Sequence, residues 1–174
     1  MPMIDLYYPN GALSDAACAE AVEELTLALL RHEGAVDNEA TRAMSRAFVH
    51  ELPADRMFIG GRVVDQPTYR VLLTAPMGTL LHGPGPVGSA SREALTREVS
   101  EIVLAAEGTE YSTAEAARVF CIIEEIPDGL WGGMGSVFRM DDIVAFSNPD
   151  APQTENSVAA RKALAESELD LTRS

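Results

Sequence analysis

Pro2, directly behind Met1, is the position where this chain is best placed to do chemistry. Its small side chain lets the initiator methionine be trimmed, which would leave a secondary amine at the start of the chain. An α-amino group titrates at about 7.7–8.0 in model peptides, far below lysine. Apolar burial and a neighbouring guanidinium each disfavour the protonated amine and lower that value further. An amine tuned in this way is a general base near neutral pH and a nucleophile towards carbonyls. The competing reading is a Met-Pro start with no role.

Other reactive residue types are scattered. His32, His50 and His82 show neither HxxH nor HExxH spacing, so no metal site is expected. His82, in a glycine-rich loop, is a candidate polar donor at the edge of a site, whereas His32 suits the dipole at a helix C-terminus. Cys18 and Cys121 lack ligand spacing and read as reduced, packed residues of a cytosolic protein. Residues 83–88, GPGPVG, match GxGxxG formally, but Pro84 and Pro86 remove the N–H donors that would cradle a pyrophosphate. The acidic pairs Glu124-Glu125 and Asp141-Asp142 read as solvated surface.

The 174 residues include 13 Lys+Arg against 27 Asp+Glu, a formal charge of −14. A nucleic-acid partner is disfavoured, because neutralising phosphates requires cations. Twelve of the 13 cations are arginine. The overall field slows anionic ligands, so an anion site here must be local and built from arginine. No apolar run reaches the length of about 18 residues that a membrane span needs. The start, MPMIDLYYPN, has no basic segment followed by an apolar one, and a cytoplasmic protein is expected.

The elements that must position Pro2 come twice. Residues 2–8 read as a strand, and a helix capped by Ser14 or Asp15 follows, with Ala17, Ala21, Leu25, Ala28 and Leu29 on one face and Gly34 as its end. A strand over 45–52, closed by Pro53, precedes the Gly-Gly hairpin signal of RMFIGGRVV (56–64). The order recurs as a strand over 69–75, an amphipathic helix over 91–107, a strand over 118–126 and a second hairpin signal in LWGGMGSVF (130–138). The spacing predicts an α/β protein of tandem β-α-β units, 2–66 and 67–146, with a tail over 147–174 and a possible helix at 154–170. Right-handed crossovers make each unit's strands parallel. Two units side by side give a four-stranded mixed sheet with two helices on one face. Its other face stays apolar and open, which predicts association through the sheets. The tail is expected to fray or to dock on a neighbour.

A strand opened by Pro2, then an amphipathic helix, a strand begun by arginine and a Gly-Gly hairpin, resembles the tautomerase superfamily. That is the family of 4-oxalocrotonate tautomerase, macrophage migration inhibitory factor and the chloroacrylic acid dehalogenases. The resemblance spans about residues 2–146 and is strongest in RAFVHELPADRMFIGG (46–61) and VFCIIEEIPDGLWGGMG (119–135). The doubled length is similar to the fused subgroup, in which one chain holds two units and three chains form a trimer. The resemblance implies that Pro2 is the catalytic proline and that Arg46 holds a substrate carboxylate. Arg118 opens the corresponding strand of the second unit, about two residues out of register. Met57, Phe58 and Trp131 fall where the family places the apolar wall beside the proline. A solvent-facing arginine and ordinary core packing are the competing readings of these positions.

The chain also departs from the family. GALSD (11–15) replaces the loop arginine of the simplest members, and HGPGPVGSAS (82–91) replaces the arginines that the dehalogenases carry before the second helix. Keto–enol tautomerisation needs only a base and a donor that polarises the oxyanion, so it survives these losses. The resemblance therefore implies a cofactor-independent isomerase, a homotrimer, acting on a small 2-keto or enol carboxylic acid. Alternatives are a Pro2-dependent decarboxylase, a dehalogenase or hydratase, and a non-catalytic binding protein on the same scaffold.

Overall fold

The first strand of the computed structural model, β1 (Met3–Pro9), buries every second side chain, so one of its faces packs inward from the outset. The structure describes residues 2–63, 65–82, 89–148 and 150–166. The glycine-rich stretch 83–88 and residues 167–174 lie outside them, as does the side chain of His82.

Helix α1 (Asp15–Glu33) starts where Ser14 accepts a hydrogen bond from the Ala17 amide, and it ends at Gly34 in the left-handed region (φ 69°). There the Ala35 amide reaches back to the Leu30 carbonyl, a Schellman closure that only a residue tolerant of positive φ permits. Of the predicted inner face, Ala21, Leu25, Ala28 and Leu29 are buried. A short helix, α2 (Glu39–Met44), leads into β2 (Arg46–Leu52), and a two-stranded hairpin follows, β3 (Phe58–Ile59) with β4 (Arg62–Val63).

The second unit repeats the plan with β5 (Tyr69–Pro76), the short α3 (Thr79–His82), α4 (Ser89–Glu107), α5 (Thr113–Ala116) and β6 (Val119–Ile126). The strand order is β2-β1-β5-β6. Each crossover pair is parallel, and β1 and β5 meet antiparallel at the centre with Met3 opposite Thr74 and Tyr7 opposite Arg70. The expected mixed sheet, with both long helices on one side, is therefore the observed fold. Ile4, Leu6, Val71 and Leu73 from the sheet and Leu25, Leu29, Leu95, Val99 and Val103 from α1 and α4 share one core.

The opposite face carries Phe48, Phe120 and Ile122, all exposed. Across it runs a polar stack in which the Tyr7 and His50 rings lie 4.1 Å apart, Arg70 sits 5.0 Å over Tyr7, and His50 Nε2 is 2.6 Å from Asp5 Oδ1.

Three details differ from the sequence expectation. In the second hairpin, β7 (Trp131–Gly133) and β8 (Ser136–Phe138), Gly132 and Gly133 lie in the strand, and the turn falls on Met134 and Gly135, both at positive φ. A helix not foreseen, α6 (Met140–Ser147), comes next, and α7 (Glu155–Glu166) packs back onto it, so this part of the tail is docked on its own chain. Arg161 of α7 donates to the Ala145 carbonyl at 2.9 Å and to that of Phe146, and Thr154 donates to Asp142. Asp142, expected on a solvated surface, is buried because it also accepts from the Arg139 amide and from Asn156.

Leu29 is fully buried between helix and sheet. Leu29→Ala should lower the unfolding free energy by about 2–5 kcal/mol, read as a reduced urea midpoint with little change in slope.

Candidate active site

Pro2 is buried at the head of β1 and lines a pocket with about 350 Å3 of empty space. Its walls are Glu33 at the end of α1, Ala35 just after it, Thr41 and Met44 of α2, and Ile143, Phe146 and Ser147 of α6. The two short helices are locked as a pair. Asn38 caps α2 by accepting from the Thr41 amide at 2.9 Å, and its side-chain amide donates to the Ser147 carbonyl of α6, also at 2.9 Å. Thr41 in turn bonds to the Val36 carbonyl. Phe146, fully buried, has Arg161 5.5 Å over its ring, so α7 braces the wall from behind.

Glu33 is the pocket's ionisable side chain. It is 8% exposed, and its Oε1 is buried with no hydrogen-bond partner. Removal from water pushes its carboxyl up to about 7, and nearby Glu125 pushes the same way. The positive charge of the chain terminus and a hydrogen bond with Thr79 pull against that rise. Glu125 itself is held by the Gly78 and Leu80 amides, which corrects its reading as a solvated carboxylate.

The predicted site residues divide between this pocket and other places. The Arg46 amide donates to the Pro2 carbonyl at 3.1 Å, yet Arg46 pairs with Met3, and successive strand residues face opposite sides. Its side chain borders a second pocket, of about 540 Å3, with Met3, Met44, Trp131, Gly132, Gly133 and Met134. Met44 is the wall common to both pockets. The Arg46 guanidinium donates to the Ala43 carbonyl and, at 2.8 Å, to that of Ser45. The structure thus brings Arg46 and Trp131 together one wall away from Pro2. Trp131 is also packed with Phe138 and Phe146. Met57 follows a 3-10 turn over Ala54–Arg56, and Phe58, 59% exposed on the first hairpin, touches neither pocket.

Arg118 lies at the other end of the sheet, beside Tyr69. It grips Glu107 with two bonds (2.9 and 2.6 Å) and Glu115 with two more, and donates to the Pro67 carbonyl. The Tyr69 hydroxyl and Thr109 add bonds to Glu107. Arg118 holds the Glu107 carboxyl below its ordinary value against the opposing effect of burial. Cys121 is packed, and burial raises its thiol to about 11.

Sequence reasoning missed Glu33 and α6. A signal for the first was present, since both long helices end in Glu-Gly, at Glu33-Gly34 and Glu107-Gly108. For α6 the signal was weaker, two aspartates in the first turn of an eight-residue stretch.

No protein-family model matches the chain, and no curated protein sequence does so either. Solved structures do. The structure of N1, a member of the cis-3-chloroacrylic acid dehalogenase family, matches with a TM-score of 0.64 at 12% identity, over 95% of this chain and 99% of that one. A fused 4-OT solved as an asymmetric trimer gives 0.55 at 22%, over 78% and 94%. The macrophage migration inhibitory factor-like protein of Entamoeba histolytica gives 0.57 at 14%, over 79% and 98%. The chain therefore shares its fold with these proteins.

Arg118→Ala would leave Glu107 buried beside Glu115 without its cation. It should cost about 3 kcal/mol in denaturant unfolding near pH 7, in the range for breaking a buried pair. Because the folded Glu107 carboxyl sits below its ordinary 4.5, wild type gains this stability above about pH 4.5 and loses it as pH falls further. The difference between the two proteins should shrink in the same acid range.

Proposed function

We propose that this chain is a tautomerase in which Pro2, freed of Met1, acts as the base for keto–enol interconversion of a small 2-keto or enol carboxylic acid. The observation that carries the reading is the placement of Pro2. On a tautomerase-type scaffold, the residue that would bear the amine is buried at the head of a central strand, β1, where it lines a mostly apolar pocket. Apolar walls from Met44, Ile143 and Phe146 keep an amine neutral by penalising its charged form. Arg46, which borders the neighbouring pocket across Met44, would serve a substrate carboxylate, and Trp131 lines that pocket with it. The reaction as written needs no cofactor, since one amine can take a proton at one atom and return it at another.

The test is the ultraviolet rate of ketonisation of phenylenolpyruvate, with loss of Met1 verified by mass. Wild type should exceed buffer, and Pro2→Ala should fall at least about a hundredfold, the size of a lost general base. Equal rates would exclude Pro2 as the base.

We further propose that the chain works as a homotrimer joined through its open sheet faces, as the exposed Phe48, Phe120 and Ile122 and the trimeric fused 4-OT relative both favour. Sedimentation equilibrium should give three times the 18.7 kDa chain mass. Phe120→Asp, which places a charge on the edge-strand part of that face, should give monomers.

A further inference from the structure

The two units of this chain put the same residue at the same place and treat it in opposite ways. Glu33 ends α1 and Glu107 ends α4; each is followed by a left-handed glycine, and the same pair of backbone bonds closes each helix. Each carboxyl therefore comes to the head of its unit's first strand, Glu107 at Tyr69 and Glu33 at Pro2. In the second unit Arg118, Tyr69 and Thr109 surround the carboxylate. In the first unit no arginine or lysine lines the pocket, and Glu33 Oε1 has no partner.

The groups facing Glu33 are few. Thr41 comes from α2, Thr79 from α3 and Ser147 from α6, while Glu125 of β6 adds negative charge. The positive charge of the chain terminus pulls the other way, but burial outweighs it, and the hydroxyls do not neutralise a carboxylate. A charged, unpaired carboxylate in this position would be costly, and the protonated form is favoured instead. A neutral carboxyl is a hydrogen-bond donor, and an apolar site can hold one in that form near pH 7.

We propose that Glu33 is the acid of the Pro2 site: its carboxyl protonates the substrate's carbonyl oxygen while the Pro2 nitrogen removes the proton from the neighbouring carbon. This rests on the Pro2 reading and supplies the polarising donor that the missing loop arginine would otherwise provide. In enolisation the C–H electron pair becomes the C=C bond, the carbonyl π pair moves to oxygen, and that oxygen takes the Glu33 proton. Pro2 ends as the ammonium and Glu33 as the carboxylate. In ketonisation the carboxylate recovers the enol O–H proton while the ammonium delivers one to carbon. The amine and the carboxyl hold one proton between them in every productive state, and they titrate as a coupled pair.

The experiment compares wild type, Pro2→Ala, Glu33→Gln and Glu33→Ala, all freed of Met1, in phenylenolpyruvate ketonisation from pH 5 to 9.5. Glu33→Gln keeps the side-chain volume, so it separates chemistry from folding. Wild-type kcat/KM should be bell-shaped, falling on the acid side as the pair takes a second proton and on the alkaline side as it loses its only one. Glu33→Ala should lose about a hundredfold at the optimum. Glu33→Gln should lose less, and its profile should rise to an alkaline plateau because Pro2 then acts alone. Glu33 variants with wild-type rate and profile, alongside an inactive Pro2→Ala, would overturn the role of Glu33 and leave Pro2 standing. A fully active Pro2→Ala would overturn both. The Glu33 carboxyl carbon, followed by 13C NMR, gives a readout independent of turnover. Titration near 7 supports the proposal, and titration near the ordinary 4.5 removes the acid from the site whatever the rates.

Discussion

A helix that joins two parallel strands must run back along the sheet, so its last turn returns to the edge where the first strand began. This return is the constraint on which the molecule depends. It brings the end of α1 to Pro2 and the end of α4 to Tyr69, although 31 and 38 residues of chain separate the partners. Left-handed glycines at 34 and 108 stop the helices there and turn the chain away, which leaves the final glutamate of each pointing into the strand head. The core that enforces the geometry is apolar and continuous, with α1 and α4 lying together over one face of β1 and β5.

What fills each strand head then sets what that end of the sheet does. Around Tyr69 the carboxylate meets a guanidinium with a fork geometry that matches it, and the phenol and a threonine complete its shell. That end is closed by ion pairing, and burial raises the Tyr69 hydroxyl well above its usual range, so it remains a donor. Around Pro2 the carboxyl meets threonines, a methionine and the underside of α6. One repeat has become a strut and the other retains an unsatisfied acid, and the contrast comes from a handful of neighbours rather than from the backbone.

The pocket is roofed by two short helices, one from each half of the chain. The α2 and α6 helices are tied through Asn38, and α7 holds α6 through Arg161, so a contact with residue 161 reaches the wall beside residue 2. On the other side of the sheet the chain is open. Phe48, Phe120 and Ile122 flank the stacked Tyr7, His50 and Arg70, an arrangement of apolar and oriented polar groups suited to protein rather than to water.

The repeat, the parallel pairs, the helix ends at Ser14 and Gly34 and the single covered sheet face were legible in the sequence, because each follows from local periodicity, caps and breakers. That Pro2 stands at the head of the first strand was legible too. Which side chains share its pocket was not. Arg46 follows Pro2 in hydrogen bonding yet faces the other way, a consequence of strand alternation that one residue of register decides. Arg118 looks from the sequence like a second anion holder, but a buried guanidinium takes the nearest carboxylates, and the fold supplies Glu107 and Glu115. Asp142 and Glu125 look like surface charges until tertiary packing gives them amide donors. Glu33 is an ordinary last residue of an amphipathic helix until the crossover carries it to Pro2 and buries it without a partner. Burial and pairing of charges arise between segments far apart in the chain, so only the tertiary structure could decide them.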